Sequence, residues 1–192
     1  MIGTIIFDLN GVILKSEPLS ERVAKEYGVD TDFFFGVLKQ LLRVARTKGE
    51  KSENLWQPVL DCVGVSKEAF FEFYFAGESV DEGALSYIKE LNSKGFKLFT
   101  LSNNFQERTD YYRKHFPKIF ESFDKTYFSW ETGYVKPDVM AWKNVLEENQ
   151  LDPMNCLYFD DSEENVEVAK SLGIKAYKYE DLGQIRNLTS SL

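Results

Sequence analysis

A chain of 192 residues, 43% of them apolar, is long enough for one compact α/β domain with a modest insertion and apolar enough to fill its core. Its formal net charge of −8 sets aside nucleic acid and anionic membrane surfaces as main partners, because phosphate backbones attract basic faces. Two distant cysteines, Cys62 and Cys156, and one histidine, His115, support neither a zinc site nor a disulfide framework.

Both thiols are expected to be buried, in a reducing compartment. No apolar run reaches the roughly 18 residues of a membrane span, and Asp8 interrupts the amino-terminal run before it could serve as a signal peptide, so a cytoplasmic protein is expected. In chain order, "GTIIFDL" reads as the first strand, short and rich in β-branched and aromatic residues. Residues 15–79 then read as helical throughout, in four segments that each run to a glycine, with no strand between them. The segment 80–95 places Leu85, Ile88 and Leu91 at helical spacing and stops at Gly95. Strands "FKLFTLS", "KTYFS", "NCLYFDD" and "IKAYKY" follow, separated by the helical patterns "PDVMAWKNVLEENQ" and "SEENVEVAKSLG". Repeated strand-helix alternation predicts the α/β class: a Rossmann-like parallel sheet with helices on both faces and an all-helical cap inserted after the first strand. The core takes 1–14 and 80–192, and the cap takes 15–79.

In a parallel sheet the carboxyl ends of the strands share one crevice. Here those ends carry Asp8, then Ser102 and Asn103, then Asp160 and Asp161, while Lys136 stands before Pro137 at the expected start of a helix. Carboxylates suit a hard divalent cation such as Mg²⁺, and a hydroxyl and an ammonium suit phosphate oxygens. A carboxylate can also attack phosphorus directly. Taken singly, each residue has a plainer use. Asp8 could close a turn, Asp160 and Asp161 could favour the helix opening at Ser162, Lys136 could be solvated, and Asn165 could lie on the surface. His115, late in a helix, reads as structural.

The blocks "FDLNGV", "LSNN", "GYVKPD" and "YFDDSEENV", in this order from Asp8 to Asn165, resemble the four motifs of the haloacid dehalogenase-like (HAD) hydrolase superfamily. The last two look closest to the branch holding sugar-phosphate phosphatases and the phosphatase domain of soluble epoxide hydrolases. That resemblance implies Asp8 as nucleophile and Mg²⁺ ligand, with the Asn10 backbone carbonyl and Asp161 also on the metal and Asp160 as a further or indirect ligand. It implies Ser102, helped by Asn103, on the phosphoryl oxygens, and Lys136 neutralising charge shared by nucleophile and phosphate. Gly11 lets the chain turn tightly beside them.

Asn10 departs from the phosphatase pattern, in which an aspartate here is the general acid and base; an amide cannot give and recover a proton. Three readings stay open: a slow enzyme or one limited to good leaving groups, a proton from another group or water, or an aspartate deliberately replaced. The resemblance thus implies a Mg²⁺-dependent phosphatase acting on a small phosphorylated metabolite through an aspartyl phosphate. The alternatives are an impaired relative that binds a metabolite or protein, or a phosphoryl-transferring mutase. In the cap, "EAFFEFYFAG" is aromatic on nearly every face and reads as buried packing. The basic stretch with Arg43, Arg46, Lys48 and Lys51 reads as a solvated face, with attraction of a distal charge as the second option.

Overall fold

The architecture comes from a computed structural model that describes residues 2–49 and 52–190. Among the described residues five strands form one parallel sheet in the order β5-β4-β1-β6-β7: β1 (Thr4–Phe7), β4 (Lys97–Ser102), β5 (Lys125–Phe128), β6 (Cys156–Asp160) and β7 (Lys175–Lys178). The central strand β1 pairs on one side with β4 and on the other with β6, Phe7 lying opposite Thr100 and Phe159. This register carries Asp8, Ser102 and Asp160 to the same edge. The connections leave β1 toward β4 and β5, then return to its other side for β6 and β7, which makes that edge the place where a doubly wound sheet opens a crevice.

Side chains alternate across the sheet with period two. Ile5, Phe7, Leu98, Leu157 and Phe159 face one way, against α5 (Glu82–Ser93) through Leu85, Ile88 and Leu91, and against α6 (Gln106–His115) through Tyr112. Ile6, Phe99, Leu101 and Tyr158 face the other, against α9 (Met140–Glu148) through Trp142 and Val145 and α10 (Glu163–Ser171) through Val166 and Ala169. The remaining helices of the core are the short α7 (Pro117–Phe120) and α8 (Ser129–Thr132) and the carboxyl-terminal α11 (Leu182–Thr189). Aspartate or serine side chains cap several amino termini, Ser162 accepting from Asn165 N–H at the start of α10 and Asp81 from Ala84 N–H at the start of α5.

Between β1 and α5 lie four helices, α1 (Leu19–Tyr27), α2 (Thr31–Ala45), α3 (Gln57–Val63) and α4 (Lys67–Phe75). They bury a cluster of their own, including Val23, Phe34, Leu41, Trp56 and Phe70, which Phe105 joins from the core. The aromatics of α4 pack as expected: Phe70 and Phe71 meet Trp56 with centroids 6.4 and 4.8 Å away. Expectations for the insertion need correction. Residues 15–79 are not helical throughout, because β2 (Leu14–Ser16) and β3 (Glu78–Val80) pair antiparallel where the chain leaves and re-enters the core. Their few alternating residues give too weak a pattern to read alone, and each strand needs the other as partner. The second correction concerns α2, which ends at Ala45 rather than running to Gly49. Thr47 donates its hydroxyl to the Val44 carbonyl there, occupying an acceptor at the helix end. Lys51 lies outside the described residues. Cys156 is buried as expected but Cys62 is only half-buried. Among the described residues no helix is long and apolar enough to cross a membrane.

Candidate active site

The chain leaves β1 at Phe7 and turns back on itself within seven residues, with Ile13 and Leu14 N–H donating to the Leu9 carbonyl. Asp8 sits at the head of this turn, almost buried. Its Oδ1 accepts from Leu9 N–H at 2.7 Å and from Lys136 Nζ at 3.2 Å. Burial pushes the Asp8 carboxyl up to about 6 against the pull of Lys136, and Asp160 and Asp161 add to the rise. Gly11 follows with φ +84°, and a Cβ there would stand 2.4 Å from Asp161 Oδ2. No side chain fits between this turn and the Asp161 carboxylate.

The aspartates at the end of β6 divide their work. Asp160 is fully buried, and its Oδ2 accepts from Lys136 Nζ at 2.6 Å, from Asn165 Nδ2 at 3.0 Å and from the Tyr158 hydroxyl. Its Oδ1 accepts from Ser162 N–H and again from Asn165. Burial alone would raise its pKa, but Lys136 and these hydrogen bonds outweigh that and hold it below the ordinary carboxylate value. Asp161 is exposed, and desolvation and Asp160 push it up. Oxygens of Asp8, Asp160 and Asp161 all lie within 4.8 Å of one another.

Lys136 is not at a helix start. It lies in the loop between α8 and α9, four residues ahead of Met140, followed by a cis bond to Pro137. Its side chain is 1% exposed, which makes it the counter-charge of two acids rather than a solvated lysine. Asn103 fixes the lysine backbone from both sides, donating Nδ2 to Lys136 O at 2.7 Å and accepting Lys136 N–H on Oδ1 at 2.8 Å. Asn103, expected on phosphoryl oxygens, thus spends its side chain on Lys136. Asn165 is buried against Asp160 rather than exposed, and His115 stacks on Tyr111 away from the crevice.

Asn10 faces Ser102, whose hydroxyl donates to Asn10 Oδ1 at 3.4 Å, and its own Nδ2 donates to Tyr112 Oη at 2.8 Å. Tyr112 donates in turn to Glu78 Oε2, which also accepts from Ser16, while Arg108 donates to Glu78 Oε1 at 2.6 Å and to Ser16. Burial holds the Tyr112 phenol far above its ordinary pKa, so it stays protonated. Sequence reasoning missed Tyr112, Glu78, Arg108 and Ser16. Ser16 and Glu78 come from the small ribbon, the other two from α6, and no local pattern joins them. A cavity of about 430 Å³ opens over the whole group, lined by Asp8, Asn10, Ser102 and Lys136 on the core side and by Arg46 and Tyr74 on the helical side.

Strand-end acids, a buried lysine and a hydroxyl beneath a helical roof define a class of α/β hydrolase. A family model described as haloacid dehalogenase-like hydrolase matches residues 2–173, and the chain belongs to that family. It is 28% identical over 186 residues to a phosphorylated carbohydrates phosphatase of Thermotoga maritima, covering 89% of this chain and 82% of that one. Bifunctional epoxide hydrolase 2 of Rattus norvegicus is 22% identical over 191 residues, which are 88% of this chain but only 34% of that protein. Among solved structures, a HAD family enzyme from Bacteroides thetaiotaomicron superimposes with a TM-score of 0.83 at 24% identity, over 96% of this chain and 98% of that one. A structure of the same enzyme in complex with magnesium and inorganic phosphate gives a TM-score of 0.79.

Proposed function

We propose that the protein is a Mg²⁺-dependent phosphomonoester hydrolase acting on a small phosphorylated metabolite through an aspartyl phosphate on Asp8. The observation that carries this reading is the convergence of Asp8, Lys136 and Ser102, from three separate parts of the chain, on the floor of one cavity. The phosphatase name of the Thermotoga relative and the magnesium and phosphate of the Bacteroides complex support it.

The residues fit a hard cation. The donors are carboxylates without thiol or imidazole, their oxygens lie within 4.8 Å of one another, and two oxygens on one octahedral Mg²⁺ stand roughly 3 to 4 Å apart. Asp8 and Asp161 would hold it with the Asn10 carbonyl, whereas Asp160, saturated by Lys136, Tyr158, Asn165 and Ser162, would act indirectly. Bound there, the ion would supply positive charge against which an anionic carboxylate and an anionic phosphate can approach.

The chain's own residues do the rest. Asp8 Oδ1 is fixed by Leu9 N–H and Lys136, which leaves its other oxygen to attack phosphorus. A bond forms from that oxygen to phosphorus as the bond to the leaving oxygen breaks. Lys136 and the Ser102 hydroxyl stabilise charge on the phosphoryl oxygens. A water then attacks phosphorus and releases one proton to solvent, the bond to Asp8 breaks, and hydrogen phosphate leaves with the carboxylate restored. Asn10 cannot transfer the protons of either step, so leaving groups stable as anions are favoured. Hydrolysis of para-nitrophenyl phosphate is expected with Mg²⁺ and not with excess EDTA, and Asp8→Asn is expected to reduce it by at least 10³-fold. Turnover that survives Asp8→Asn would refute the nucleophile assignment; no turnover by the unaltered protein would favour the binding-module alternative that Asn10 allows.

A further inference from the structure

Lys136 meets the phosphoryl position from the core side, and a second cation lines the same cavity from the helical side. Where α2 stops early, its next residue, Arg46, turns into the cavity wall. Its Nε is buried without a hydrogen-bond partner, and among the described residues no carboxylate forms an ion pair with it. The neighbouring Arg108 is already engaged by Glu78 at 2.6 Å. Burial, above all, pulls the Arg46 pKa below the ordinary arginine value; the Arg108 charge adds to the pull, while Tyr74 and the Asp8 carboxylate oppose it. Arg46 is thus a half-buried guanidinium at the cavity wall whose buried Nε still has a hydrogen bond to make, a donor that an anion can take up.

Arg46 also borders a second hollow of about 340 Å³ between α2 and the loop before Pro137. Asn103 and Lys136 line both hollows, so the second adjoins the first at the phosphoryl end. Lys39 and Arg43 on α2 and Arg46 just past its end line it, at spacings of four and three residues. Leu38, Leu42, Phe35 and Val135 give it an apolar floor. Among the described residues none of the three has a carboxylate partner, in a protein of net charge −8; Lys39 stands 6.0 Å over the Phe35 ring. A single phosphoryl group bound at Lys136 and Ser102 leaves them without an anion, and a guanidinium fork matches a carboxylate or phosphate group in two parallel hydrogen bonds.

We propose that the carboxyl-terminal end of α2, with Lys39, Arg43 and the following Arg46, is a subsite for a second anionic group, so that the substrate is a phosphomonoester bearing a carboxylate or a further phosphate on a short, partly apolar scaffold. The inference rests on the phosphatase reading and narrows it. Two matched pairs test it: glycerol 3-phosphate against 3-phosphoglycerate for the carboxylate, and fructose 6-phosphate against fructose 1,6-bisphosphate for the second phosphate. Turnover is measured with Mg²⁺ for the unaltered protein, Arg46→Ala, Arg46→Lys and Arg43→Ala, and binding of the same four esters to Asp8→Asn is measured by calorimetry. In at least one pair the ester with the extra anion is expected to be preferred tenfold or more, in kcat/KM or in affinity. Arg46→Ala should shrink that ratio at least tenfold, mainly through KM, with Arg46→Lys restoring part of it. No preference in either pair by either measurement overturns the subsite. So does an Arg46→Ala loss equal for both members, which would assign the guanidinium to the transferred phosphoryl group. Hydrolysis without the preference sinks the subsite alone; tighter binding of the two-anion ester without hydrolysis of any ester sinks the phosphatase reading and leaves the subsite standing.

Discussion

Asn10 is the residue at which this site departs from an acid-base phosphatase, and its surroundings suit the amide. Tyr112 gives its single proton to Glu78 and so turns a lone pair to Asn10 Nδ2. An aspartate in this position would have to draw that proton away from Glu78, which keeps Arg108 and Ser16 as donors. General acid-base help is worth about 10²–10⁴-fold in rate. Asn10→Asp is therefore expected to raise kcat on alkyl phosphates at least tenfold and to change para-nitrophenyl phosphate less, because nitrophenolate leaves without a proton. An unchanged ratio between the two substrates would mean that the proton already comes from elsewhere. Gly11 gives a second test. Positive φ and the Asp161 carboxylate both exclude a Cβ there, so Gly11→Ala should displace Asp161. Mg²⁺ affinity by calorimetry is expected to fall tenfold or more with the far-ultraviolet circular dichroism preserved; unaltered affinity would remove Asp161 from the cation site.

The helices above the sheet are tied to it by the ribbon of β2 and β3 and by one buried ion pair. Arg108 on α6 and Glu78 on β3 have side chains 7% and 1% exposed, and Arg108 also donates to Ser16 on β2. Removing one charge from a buried pair leaves the other uncompensated, at a cost of about 3–5 kcal/mol. Glu78→Gln should accordingly destabilise the protein by about 3 kcal/mol in urea unfolding. A loss below about 1 kcal/mol would show that the pair is not needed to hold the ribbon on α6. The same ribbon carries Glu78 into contact with Tyr112, so the entry to the helical insertion and the position of Asn10 are set by one hydrogen-bonded chain.

Across the molecule, an excess of eight negative charges coexists with a cavity whose walls carry Lys136, Arg46 and Arg108. Attraction of an anionic substrate to that cavity acts through solvent and is screened over about 10 Å at 0.1 M salt. Raising ionic strength from about 0.02 to 0.2 M should raise KM for a phosphate ester at least twofold while leaving kcat nearly constant. A KM indifferent to salt would confine recognition to short-range contacts. The five parallel strands, the fold class and the acids at the strand ends were legible in the sequence, because the periods of two and 3.6 residues and the turn glycine at Gly11 are local signals, whereas β2 and β3 were not. Asp8 and Ser102 could be placed on one edge from alternation alone. Only the tertiary structure decided that Asp160 serves Lys136, that Asn103 clamps the lysine backbone, that Tyr112 holds Asn10, and that Arg46 lines the cavity. The contacts that settle this join residues from 24 to 102 positions apart, and they depend on strand register, on where α2 ends and on how the four helices pack over the sheet. Burial and charge pairing of that kind exist only once the chain has closed around them, so no stretch of the sequence carries their mark.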